Sequence, residues 1–69
     1  MNVIGPRIKE LREQQKLTQA ELAARCNVIG LDISRGTLGK IEAQVRRLTD
    51  GEVAQIAEAL NVDVNELYL

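Results

Sequence analysis

The chain has 69 residues, a formal net charge of −1 and 45% hydrophobic residues. That length holds one domain, and a domain of this size buries only about 60% of the surface its unfolded chain exposes. With one cysteine and no histidine, an internal disulfide framework and a Cys/His metal site are excluded, and aliphatic packing must supply the core.

Tyr68 is the only aromatic residue, which argues against a base-stacking surface of the single-strand-binding kind. No apolar run approaches the roughly 20 residues of a membrane span. The opening "MNVIGPRIKE" lacks the pattern of a secretory signal. A cytoplasmic protein is expected, with Cys26 as a small core residue. Charge is unevenly placed. Residues 1–48 carry all nine Lys and Arg against five acids, and residues 49–69 carry five acids and no base. This fits either solvated helix faces that differ, or a basic face for a polyanion with an acidic side turned away.

The apolar spacing is helical nearly throughout. Ile4, Ile8 and Leu11, with Pro6 in a first turn, predict a helix over about 6–15. Thr18 and Glu21 form a capping box. It opens a second helix that carries Ala20, Leu22, Ala23 and Cys26 and runs to Val28 or Ile29, with Gly30 as its C-cap. Ser34 caps a third helix, with Thr37, Leu38 and Ile41 inward, fading near Ala43 or Gln44. "TDGE" at 49–52 is a second capping box. It starts a helix with the stripe Val53, Ile56, Ala57 and Leu60, ended by Asn61. Asp63 can cap a short fifth helix with Val64, Leu67 and Tyr68. No segment alternates as a strand. An all-α bundle of five short helices is expected.

The third helix raises a question. Gly36 and Gly39 lie inside it, although each glycine costs a helix about 1 kcal/mol relative to alanine. Arg35, Lys40, Arg46 and Arg47 gather in and after the same segment.

The stretch "LTQAELAARC … ISRGTLGKIEA" resembles the helix-turn-helix of the Cro and phage-repressor family, also called the XRE family. The likeness rests on Thr18 and Gln19 opening the second helix, on Glu21, Leu22 and Ala23 within it, on Ser34 opening the third, and on Leu38, Lys40, Ile41 and Glu42. It extends through "RIKELRE" (7–13) and "IAEALNVDVNELY" (56–68), so it covers almost the whole chain, with the motif at about 18–43. There are two departures. "NVIGLDI" is about five residues longer than the family's usual turn. It reads as an extra turn on the second helix, stopped by Gly30, with Leu31 or Ile33 returning to the core; the alternative is a tilted third helix. Gln44 stands where the family commonly has glycine, so the third helix is expected to run on a little before Arg46.

The resemblance implies a transcriptional regulator, a repressor, that binds double-stranded DNA as a two-fold dimer on a palindromic operator. It implies base contacts from Ser34, Arg35, Gly36, Thr37 and Lys40, with Arg35 suited to guanine. Gly36 and Gly39 then remove bulk near the groove; the plainer reading is ordinary variation on an exposed face. The resemblance implies phosphate contacts from Gln19, Arg12, Arg46 and Arg47, while Lys9 and Lys16 read as solvated. It also implies an ion pair between Arg12 and Glu42 that holds the recognition helix; the plainer reading is two independent surface charges. Val64, Tyr68 and Leu69 are candidates for the dimer surface. No cofactor, metal, small-molecule ligand or membrane partner is expected, nor is catalysis. The alternative is a protein-interaction module of the same fold, antitoxin- or coactivator-like, that does not read DNA.

Overall fold

The structure is a computed structural model, and it describes residues 3–68. Among these are four α-helices, one short 3-10 helix and no strand. The α-helices are α1 (Gly5–Gln14), α2 (Gln19–Val28), α3 (Arg35–Glu42) and α4 (Asp50–Ala59). The 3-10 helix spans Val64–Tyr68.

Side chains satisfy free amides at the starts of α2, α3 and α4. Thr18 Oγ1 accepts from the Glu21 amide at 3.1 Å, and Glu21 Oε1 accepts from the Thr18 amide at 2.8 Å. Thr49 and Glu52 repeat the pattern for α4 at 3.1 and 3.0 Å. Ser34 Oγ accepts from the Thr37 amide at 3.1 Å. Only α1 begins without a side-chain cap; Ile4 precedes it and Pro6 lies in its first turn.

The four α-helices also stop alike. Lys16, Gly30, Gln44 and Asn61 follow the respective caps, with φ of 60°, 95°, 67° and 57°. The next amide in each case bonds back across the last turn. Leu17 donates to the Arg12 carbonyl, Leu31 to Cys26, Val45 to Lys40 and Val62 to Ala57, at 2.9–3.0 Å. This is the Schellman closure, in which a left-handed residue turns the chain and the apolar residue after it packs back. Leu31 is buried, and Leu17 and Val62 pack against the core. Val45 does not; it is 75% exposed.

Helix α3 packs on α1 and α2, α2 on α4, and the 3-10 helix on α4 and α1. Ile8, Leu22, Leu38, Ile41, Ile56, Leu60 and Leu67 are essentially fully buried at the centre. Polar side chains close the exposed ends. Gln15 donates to the Leu60 carbonyl at 2.7 Å and Arg25 to that of Ala59 at 3.4 Å, which serves the C-terminus of α4. Arg7 donates to the Glu66 carbonyl at 2.8 Å, pairs with the Glu66 carboxylate at 3.2 Å and also pairs with Glu10. That clasp holds the 3-10 helix on α1. Burial pushes the Cys26 thiol pKa up, which keeps it protonated and unreactive.

Two expectations are corrected. The fifth element is a single 3-10 stretch, not an α-helix. Asp63 Oδ1 accepts from the Asn65 amide at 2.8 Å, and the Glu66 amide donates to the Asp63 carbonyl at 2.9 Å, the i+3 closure of a 3-10 turn. Helix α1, expected over about 6–15, spans Gly5–Gln14. Helix α3 does not run on toward Arg46. It ends at Glu42, because Gln44 adopts the left-handed conformation expected of the family's glycine.

Candidate nucleic-acid interface

Leu38 and Ile41, both fully buried, set the rotation of α3. Its remaining residues follow from the 3.6-residue period. Arg35, Gly36 and Lys40 are exposed, and Thr37 and Gly39 are half-buried. Ser34 is exposed at the N-cap, where its hydroxyl also donates to Thr37 Oγ1 at 3.1 Å. Of the five sequence-predicted base-contacting residues, Ser34, Arg35, Gly36 and Lys40 are exposed, and Thr37, expected inward, is only half-buried.

The long connection from α2 to α3 is braced inside the protein. Leu31 and Ile33 are both buried. Asn27 Nδ2 donates to the carbonyls of Ala23 at 2.8 Å and Ile33 at 2.7 Å. One side chain of α2 thus fastens the residue just before the α3 cap. Asn27 was not singled out from the sequence, and an exposed asparagine in a helix gives no signal of such a role.

The other end of α3 is held by Glu42. Its carboxylate accepts from Arg12 Nε at 2.7 Å, from Arg12 Nη2 at 3.1 Å and from Gln19 Nε2 at 3.1 Å. Arg12 Nη1 donates to the Leu17 carbonyl at 2.8 Å. Arg12 is 8% exposed and Glu42 7%, so the pair is an internal brace joining α1, α2 and α3. The hydrogen bond to Glu42 holds the Arg12 pKa above its ordinary value. The plainer reading of two independent surface charges is set aside by this geometry. Each guanidinium nitrogen of Arg12 serves an internal acceptor, which gives the expected phosphate contact no support.

Gln19 and Gly39 meet. A Cβ on Gly39 would lie 3.6 Å from Gln19 Nε2, an ordinary contact distance. Gly39 therefore faces the Gln19 amide on α2. A Cβ on Gly36 would meet only Ser34 Oγ, at 3.7 Å. Nothing inside the protein requires either glycine.

Beyond α3, Arg46 Nη2 pairs with Glu52 at 2.8 Å, and Arg46 Nη1 donates to the Arg47 carbonyl at 3.2 Å. Arg47 is exposed. The Arg46 hydrogen bond, and then the Thr49 amide, hold the Glu52 pKa below the usual carboxylate value. The Thr18 amide acts likewise on Glu21.

The order is thus a capped helix, a braced turn and a second helix with an exposed cationic side, supported by a third. A helix-turn-helix family model matches residues 8–67. The chain belongs to the XRE-type, Cro- and phage-repressor-like helix-turn-helix family. This helix-turn-helix family is one of DNA-binding transcription regulators. No curated protein and no solved structure matches the chain. Among the described residues, no helix is long and apolar enough to cross a membrane.

Two outcomes follow for this helix-turn-helix. Glu42→Ala leaves a buried guanidinium without its counter-charge and lowers unfolding free energy by about 3–5 kcal/mol, read by urea denaturation; a loss below about 1 kcal/mol would show the brace to be incidental. Because the folded-state pKa of Glu52 is depressed, its contribution is complete above the unfolded value near 4.5 and is lost as pH falls below it. Stability measured from neutral pH down into the acid range should therefore fall less steeply in Glu52→Gln than in the native chain.

Proposed function

We propose that the protein is a sequence-specific repressor that binds double-stranded DNA, with the N-terminal end of α3 in the major groove. The observation that carries this is the exposed Gly36 and Lys40 side of α3, with Arg35 exposed in its first turn, on a helix held from within by Leu38, Ile41 and Glu42. Arg35 is the only long donor in the first turn, and a bidentate contact to guanine O6 and N7 suits it. Ser34 and Thr37 meet base edges beside it, and Lys40 reaches the groove one turn on.

Arg46, Arg47 and the α2 start at Gln19 meet phosphates and set the register. Gln19 lends one amide hydrogen to Glu42 and retains a second for an anion. Binding is as a homodimer on a palindromic site, with half-sites about one helical turn apart. Val64 and Tyr68, 38% and 57% exposed, are the proposed dimer contacts; Leu69 lies outside the described residues.

The first test is selection of bound duplexes from a random pool, repeated with Arg35→Ala. The native chain should return a palindrome containing guanines. The variant should relax those positions, with a loss of roughly 1–3 kcal/mol of discrimination. No duplex binding by the native chain would turn the reading to a protein-interaction module. Gly36→Ala tests the glycine separately. It should raise stability by about 0.5–1 kcal/mol in thermal unfolding while weakening the selected duplex complex. Unchanged affinity would make Gly36 ordinary variation on an exposed face.

A further inference from the structure

We propose that Val45 is a DNA-contacting residue, packing its side chain on a deoxyribose of the strand whose phosphates Lys40, Arg46 and Arg47 meet. The inference rests on the DNA-binding reading above and deepens it by one residue and one kind of contact.

The starting point is local. In a Schellman closure the apolar residue after the left-handed position packs back on the helix it ends. Leu17, Leu31 and Val62 do so. Val45 holds the same backbone position, with its amide bonded to the Lys40 carbonyl at 3.0 Å, yet it stands 75% exposed. The device that turns an apolar side chain inward is present, and here the side chain is left outside.

The surroundings indicate what covers it. The Arg46 amide also reaches the Lys40 carbonyl, at 3.3 Å, so Lys40, Val45 and Arg46 are drawn together at the end of α3. Arg47 follows and is exposed. Gly36, Lys40 and Ala43, at spacings of four and three, form an exposed stripe that leads to this turn. Arg46 is paired with Glu52, but a symmetric contact between two copies of the patch would still set Lys40 and Arg47 against their own images, which is unfavourable. A polyanion with apolar sugar edges between its charges satisfies both features. The cations take phosphates, and the isopropyl group of Val45 loses its water against a ribose face. Such a contact carries no base information.

The test measures duplex affinity against salt for the native chain, Val45→Ser and Arg47→Gln, using the duplex selected above. Urea denaturation and sedimentation equilibrium are run on the same preparations. Val45→Ser should weaken binding roughly fivefold, as expected for burial of a small apolar group. Its unfolding midpoint, dimerisation and salt slope should not change. Arg47→Gln should lower the salt slope by about one. Native affinity in Val45→Ser overturns the contact and leaves the DNA-binding reading standing. Loss of affinity that tracks loss of dimer assigns Val45 to self-association and also overturns it. A native chain that binds no duplex overturns both readings together.

Discussion

The carboxylate of Glu42 is the point on which the placement of α3 depends. It sits on the last residue of the helix, almost out of contact with water, and it receives three donors from two other helices. A buried charge is tolerated only when paired and hydrogen-bonded. Arg12 and Gln19 must therefore keep their geometry for the Glu42 carboxylate to stay inside. The same requirement fixes α1 and the start of α2 against the end of α3. Helix α3 needs such support. It has eight residues and two glycines, well short of the roughly 12–15 residues at which isolated helices become even marginal in water.

The opposite end of α3 is held differently. Leu31 and Ile33 return to the core, and Asn27 fastens the Ile33 carbonyl. A connection longer than the family's usual turn is thereby anchored by two buried side chains and one hydrogen-bonded amide. The helix between these supports has no propensity to spare, and its outer side is open to a partner. That arrangement answers why a weak helix is tolerated where the cations gather. Its neighbours impose the helical state, and the composition of the outer side is left to other constraints.

Much of the fold was legible because helix ends are written locally. Thr18 with Glu21, Thr49 with Glu52, and Ser34 before Thr37 act over three residues. Gly30 stops α2 through its own backbone freedom. The inward stripes also followed from spacing alone. What misled were positions where a neighbour decides. Gln44 has no chemistry that announces a left-handed residue, yet the closure after α3 puts it there. Gly39 lies on a helix wheel as a surface residue, but α2 brings Gln19 against it. Arg7, Asn27 and Arg46 each act on a carbonyl or carboxylate reached only after folding.

The sequence by itself determined the helical class, the capped starts of α2, α3 and α4, the stop at Gly30, the aliphatic core and the separation of basic from acidic residues. All of these rest on interactions within a turn or two of chain, or on counting. Tertiary structure alone decided which cations are structural and which face outward. Arg7 and Arg12 are bound to partners 59 and 30 residues away, while Arg35, Lys40 and Arg47 are exposed. A guanidinium has the same chemistry in either place. Only the packing of distant helices settles whether a carboxylate lies within its reach, and so whether its charge is used inside or offered to solvent.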